Sequence, residues 1–89
     1  MKHAREDYNR IQDPAGLIPS EEPVFLLRGQ DVYAAGALRW YADRVEGAGG
    51  DPAIVKATRE QALRMEAWPT RKEPDMPRKV YPGMYGDEG

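Results

Sequence analysis

An 89-residue chain without cysteine and with a net charge of −2 excludes several classes of protein at once. Disulfide frameworks and thiolate metal sites need cysteine, so both are ruled out. Thirteen basic residues stand against fifteen acidic ones, whereas non-specific binding to duplex nucleic acid depends on an excess of positive charge. We therefore expect no duplex nucleic acid among the partners.

Hydropathy favours a protein of the cytoplasm. The first residues lack the apolar run of a secretory signal peptide. The longest unbroken apolar run is Val24–Leu27, whereas a membrane-spanning helix needs about 20 apolar residues. The sequence therefore predicts a cytoplasmic location and no contact with a membrane.

Three parts of different composition follow one another along the chain. Residues 1–7 are polar, which predicts a flexible N-terminus. Residues 8–69 hold the periodic apolar positions and are expected to form a single small domain. Residues 70–89 contain three prolines and scattered apolar residues, which predicts an extended or disordered tail.

The domain begins with an arm at residues 8–30. Its sequence Asp13-Pro14-Ala15-Gly16 is typical of a turn, because proline presets φ at the second position and glycine suits the fourth. Residues 23–28, PVFLLR, are a continuous apolar run. This run predicts either a short buried strand or an extended segment that crosses the helices.

Two amphipathic helices are the clearest prediction. The first spans residues 31–46, with Asp31 as its N-cap and a loop of glycine and alanine after it. The second spans residues 51–68 and opens on Asp51-Pro52, a capping residue followed by proline at the first helical position. Apolar positions recur every three or four residues in both. They are Ala34, Ala35, Leu38, Tyr41, Ala42 and Val45 in the first helix, and Ile54, Thr58, Ala62, Met65 and Trp68 in the second.

A loop this short makes the two helices antiparallel neighbours. The predicted fold class is therefore mainly α: an antiparallel helical hairpin with an extended N-terminal arm of one or two short strands and an extended, proline-rich C-terminal tail. A domain of about sixty residues has a small core, and without disulfides it usually needs a partner chain. We expect a homo-oligomer. Its predicted interface residues are aromatic, since tyrosine and tryptophan are typical anchors: Tyr41, Trp68, Tyr81 and Tyr85.

One local pattern suggests a ligand site. A strand-like run ends at Arg28, Gly29 and Gln30 turn the chain, and a helix N-terminus, which attracts anions, follows. Arg39 and Trp40 would add a cation and a stacking surface, so these five residues suggest an anion or nucleotide site, completed by a second subunit. The simpler interpretation, which the residues favour, is that Asp31 caps the helix and itself supplies the negative charge, and that Arg28 is a solvated or ion-paired neighbour.

Catalytic patterns are missing from the sequence. His3 is the only histidine and Ser20 the only serine, so a Ser-His-acid triad is not expected. No phosphate-binding glycine motif of the P-loop or dinucleotide kind occurs. We expect no enzyme, no cofactor and no metal.

The segments EPVFLLRGQD at 22–31, MEAW at 65–68 and PDMP at 74–77 resemble small uncharacterised proteins of bacteriophage and prophage genomes. The resemblance spans most of residues 8–77 and implies a phage or prophage origin, hence the host cytoplasm, but no particular activity. By analogy, many small phage proteins of this size act by binding. The sequence thus suggests a non-catalytic protein that sequesters a host nucleotide signal or other phosphate-bearing molecule, or blocks a host defence protein. The alternative is a structural or assembly protein of the virion, suggested by extended arms at both ends.

Overall fold

The computed structural model describes residues 2–3 and 13–76. Its elements are β1 (Lys2–His3), β2 (Pro23–Val24), α1 (Ala34–Gly47) and α2 (Pro52–Glu66). The chain divides into two compact units, of which Leu27–Pro74 is one and the residues on either side of it form the other. The larger unit consists of α1 packed against α2, which confirms the mainly α class and the helical hairpin.

The first helix begins three residues later than predicted, at Ala34. Asp31 does act as a local acceptor, since the backbone N–H of Tyr33 donates to its side chain at 2.8 Å. However, the backbone around it pairs with a distant residue: Lys72 donates to the carbonyl of Gln30 at 2.7 Å, and Val32 donates to the carbonyl of Lys72 at 3.1 Å. This pairing keeps residues 30–32 out of the helix, and the sequence alone gave no sign of it.

The same pairing holds the beginning of the predicted tail. Lys72 forms a parallel bridge with Asp31. Arg71 donates to the carbonyl of Glu66 at 3.2 Å, at the end of α2, where a cation is favourable. The remainder of the predicted tail, from residue 77 onward, lies outside the described residues.

A Schellman motif ends α1. Gly49 donates to the carbonyl of Glu46 at 3.0 Å, and Gly50 donates to the carbonyl of Val45 at 2.8 Å. Gly49 has a φ of 75°, which side-chain-bearing residues adopt only with strain. The glycine-rich loop therefore ends the helix as predicted.

α2 begins as predicted and ends two residues early. The N–H of Ala53 donates to the side chain of Asp51 at 2.9 Å, and Pro52 occupies the first helical position. The last helical residue is Glu66 rather than Trp68. Pro69 accounts for this difference, because proline disfavours helical backbone at the residue before it.

The hairpin core consists of small side chains. Within residues 13–76 the buried hydrophobic residues are Ala34, Ala35, Ala42, Val55 and Ala62. Ala35 and Ala42 stand seven apart, as do Val55 and Ala62, so each pair lies on one face of its helix. Tyr41 was expected on the core side, but its side chain is 52% exposed. Alanines in the contact leave no space for a ring between the helices, and Tyr41 lies beside the contact instead.

The smaller unit contains the strands and the predicted turn. Gly16 donates to the carbonyl of Asp13 at 2.9 Å, which confirms the turn. β1 and β2 pair in parallel, with Lys2 opposite Pro23 and His3 opposite Val24. β1 falls within the segment predicted to be flexible, and residues 4–12 lie outside the described residues. The strand predicted at residues 23–28 is only two residues long, and Phe25 is exposed rather than buried. No helix in the described part of the chain is both long and apolar enough to span a membrane.

Candidate binding surfaces of the helical hairpin

Ion pairs cross from helix to helix on one side of the hairpin, which we name the charged face. Arg39 of α1 makes a bidentate pair with Glu66 of α2, with both N–O distances at 2.6 Å. Arg59 of α2 pairs with Asp43 at 2.8 Å and with Glu46 at 3.0 Å in α1. These two sets of ion pairs, which we name the straps, join the same edges of the two helices. This side of the hairpin is therefore polar, with two arginines paired to three carboxylates.

These contacts shift the acid–base behaviour of the carboxylates. The hydrogen bond from Arg39 holds the pKa of Glu66 below its ordinary value, and the hydrogen bond from Arg59 does the same for the pKa of Glu46. Both arginines have a raised pKa for the reciprocal reason. The four groups therefore remain charged together near neutral pH.

The five residues of the suggested anion site fall in different surroundings. Arg39 is held by Glu66 on the charged face, with its guanidinium charge already balanced. Trp40, the next residue along the helix, points about 100° away from it. Gly29 lies against Trp68: a Cβ added to the glycine would be 3.4 Å from the Cβ of Trp68. The carbonyl of Gln30 accepts the N–H of Lys72.

Arg28 is exposed at the end of the extended segment. The structure thus brings Gly29 next to Trp68 and does not bring Arg39 and Trp40 onto one side of α1. Of the predicted interface residues, Tyr41 and Trp68 are both more than half exposed. Tyr81 and Tyr85 lie outside the described residues.

A second surface lies on the outer side of α1, and we name it the aromatic surface. It consists of Tyr33, Gly36, Ala37, Trp40 and Arg44, which recur at three- and four-residue intervals along one face. Trp40 is 66% exposed and Tyr33 is 58% exposed. Between them, nothing lies within 4 Å of the position that a Cβ on Gly36 would take. The two rings therefore flank an open notch.

Both rings of the aromatic surface are held in place by neighbours. The hydroxyl of Tyr33 donates to the carboxylate of Glu73, at 2.7 Å and 2.8 Å from its two oxygens. The guanidinium carbon of Arg44 lies 5.6 Å from the centroid of the Trp40 ring, within cation–π range. Restricting these side chains before a partner arrives reduces the entropy lost on binding.

Sequence reasoning missed Gly36 and Arg44, and it placed Tyr33 off the centre of the apolar stripe without including it among the interface residues. The available signal was spacing: tyrosine and tryptophan seven residues apart, with arginine four residues after the tryptophan, share a helical face. An open groove of about 710 Å³ along the charged side of α2 was also missed; Val55, Lys56, Arg59 and Leu63 contribute to its lining. Within residues 13–76, no group of three histidine, aspartate or glutamate side chains is placed to hold a metal ion.

Comparisons with known proteins identify no relative: no protein-family model, no curated protein and no solved structure matches the chain. The fold of residues 27–74 is an antiparallel helical hairpin whose two helices meet through an alanine-rich contact. Its functional assignment depends on its own surfaces.

Proposed function

We propose that this chain is a non-catalytic protein-binding module whose aromatic surface docks on another protein. The observation that carries the proposal is the inverted distribution of side-chain sizes in the hairpin. Nothing larger than Val55 is buried within residues 13–76, whereas Trp40 and Tyr33 are exposed together on the outer side of α1. Burial of a large apolar side chain contributes about 1.5–3 kcal/mol to stability, and a side chain left in water does not make that contribution.

The residue types of this surface support a protein partner. Tryptophan, tyrosine and arginine are the residues that most often contribute large shares of binding energy at protein interfaces. Tyr33, Trp40 and Arg44 supply one of each on one face of a helix. The notch at Gly36 allows a partner side chain or backbone to approach the helix between the rings.

The charge of the surface indicates what the partner presents. Arg44 is the charged member of the set and lies over the Trp40 ring. A matching surface combines an apolar pocket for the indole with a carboxylate that reaches the guanidinium, because opposite charges across an interface favour encounter and register. The ion pair between Arg39 and Glu66 favours this partner over a phosphate-bearing ligand, since Arg39 has its counter-charge in place.

The phage or prophage origin that the resemblance implies is part of this proposal. We propose that the partner is a host protein and that its blockage is the biological outcome. A module of this kind has no need of a cofactor.

Affinity capture with paired variants tests the proposal. The tagged chain is incubated with lysate of cells that carry the gene, and recovered proteins are compared with those held by Trp40→Ala and Arg44→Glu. Leu63→Ala is the matched control, because Leu63 is also largely exposed but lies on another side of the hairpin.

The expected result is a protein that the wild type and Leu63→Ala retain and that both surface variants lose. For that protein, Trp40→Ala should weaken the affinity about thirtyfold, corresponding to about 2 kcal/mol. Equal recovery with Trp40→Ala and with the wild type would contradict the proposal.

A further inference from the structure

The side of the hairpin opposite the charged face has uncharged residues at its central helical positions, with Arg44 and Arg64 at its borders. Following the three-and-four spacing, we name as the uncharged face the six residues Leu38, Tyr41, Val45, Ile54, Thr58 and Gln61. The guanidinium of Arg64 reaches one edge of this face, where it donates to the side chain of Gln61 at 3.0 Å. The other charged residues of the two helices lie on the charged face or the outer sides. The two helices therefore share a face whose central residues are uncharged.

This face is covered at one end and open at the other. Gly29 packs against Met65 and Trp68 near the end of α2. Toward the interhelix loop, Tyr41 is 52% exposed and Ile54 is 45% exposed. Val45 and Thr58 lie between these two and are half-buried. An open apolar area thus extends across both helices.

We propose that a second copy of this chain covers the uncharged face and that the two hairpins form a four-helix bundle. Electrostatics favour a second copy of the chain as the partner. A partner with charged groups at the centre of the contact would have to desolvate them without counter-charges, since Tyr41, Ile54 and Thr58 offer none. A second hairpin brings a face of the same length and width and the same lack of charge. A two-fold axis lets one patch pair with itself.

The composition of the hairpin core also supports a second copy of the chain as the partner. Four of its five buried hydrophobic residues are alanines, which contribute little buried area. Bundles of four helices gain stability from inward-facing large residues at recurring positions. Tyr41, Val45, Ile54 and Thr58 occupy such positions once two hairpins meet. The dimer would thus form the apolar core of large side chains that a single hairpin lacks.

This inference goes beyond the proposed function, because it uses a different face. The aromatic surface is centred on Trp40 on the outer side of α1; it adjoins the uncharged face along Tyr41 but does not include its residues. The dimer consequently displays two aromatic surfaces, and a bivalent partner would gain from effective concentration. Failure of dimerisation and failure of partner binding are separately measurable.

Sedimentation equilibrium of the full chain tests the inference. The wild type should be a dimer at tens of micromolar, and Tyr41→Glu and Ile54→Glu should shift the dimer constant toward monomer at least about tenfold, because each buries two like charges near the axis. Trp40→Glu is the matched control, because it also replaces an aromatic residue of α1 with glutamate, but on a different side of the helix from Tyr41. It should remain dimeric. A monomeric wild type, or a dimer lost in Trp40→Glu and kept in Tyr41→Glu, would overturn the proposal.

A second measurement does not depend on disrupting the contact. The chain has no cysteine, so a single introduced cysteine reports its own surroundings. With a short bismaleimide, Tyr41→Cys should give a covalent dimer much faster than Trp40→Cys, with helical content checked by circular dichroism. Equal rates for the two variants would overturn the proposal.

Discussion

Both terminal guanidinium nitrogens of Arg39 donate to the two carboxylate oxygens of Glu66, each at 2.6 Å, and so join the middle of α1 to the last residue of α2. Arg59 makes the reciprocal connection, from the middle of α2 to the second half of α1. Exposed ion pairs add little to stability. However, alanine side chains are too small to interlock, so their contacts do little to fix how far one helix can slide along the other. We infer that the two straps select the register of the hairpin.

Acid should weaken these straps. Glu66 and Glu46 have pKa values lowered by their arginine partners, so the unfolded chain binds protons at a higher pH than the folded chain does. Their contribution to the free energy of unfolding is present above the ordinary glutamate pKa, about 4.3. It is lost as the pH falls through the lowered folded values. Chemical denaturation measured between pH 7 and pH 3 should show this decline.

Glu66→Gln provides the comparison. This variant should be less stable than the wild type at pH 7 and should lose less stability on acidification. Glu60→Gln is the matched control, since Glu60 lies exposed on the same helix and the described residues show no ion pair to it. Identical pH profiles for the wild type and Glu66→Gln would show that the strap is irrelevant to stability.

The local signals in this sequence predicted local structure, and contacts between distant residues account for the rest. Asp51-Pro52 and Gly49-Gly50 fixed one helix start and one helix end through bonds within a few residues. The start of α1 was misplaced because Lys72 pairs with the backbone of residues 30–32. Periodicity identified the apolar stripe of α1, but it could not show that the alanines face α2 while Tyr41 lies at the side. The suggested anion site combined Arg39 and Trp40 without allowing for Glu66, twenty-seven positions away along the chain.

Two glycines at the end of α1 should respond to alanine in opposite directions. Gly47 is helical, with open space around the position of an added Cβ, so Gly47→Ala should stabilise the fold by about 0.5–1 kcal/mol. Gly49 has a φ of 75°, so Gly49→Ala should destabilise it by about 1–2 kcal/mol. Urea denaturation of the two variants measures both effects. A shift of the same sign in both would refute the Schellman assignment.

Close approach of the helices at Ala42 makes the core sensitive to added volume. Ala42 has no exposed surface, so Ala42→Leu must push the helices apart or distort its own rotamer. The expected loss is about 1–3 kcal/mol in the free energy of unfolding. Ala37→Leu is the matched control on the outer side of the same helix, where leucine should change stability by only a few tenths of a kcal/mol. An equal, small effect at both positions would mean that the helices are not in close contact.

The contact between Gly29 and Trp68 should tolerate one added carbon and reject a branched one. An added Cβ would lie 3.4 Å from the Cβ of Trp68 and 3.7 Å from the Cα of Met65, both ordinary contact distances. Gly29→Ala should therefore leave the structure in place, whereas Gly29→Val introduces two further methyl groups that press against the indole, at a cost of about 1–3 kcal/mol.

Fluorescence resolves the two outcomes when Trp40→Phe is added to both variants, which leaves Trp68 as the single tryptophan. The valine variant should show a red-shifted emission, because the displaced indole becomes more hydrated, and the alanine variant should match the parent. Since the same ring borders the covered end of the uncharged face, displacement of Trp68 should also weaken self-association. A red shift in both variants would contradict the prediction, because it would show that a single added carbon already displaces the indole.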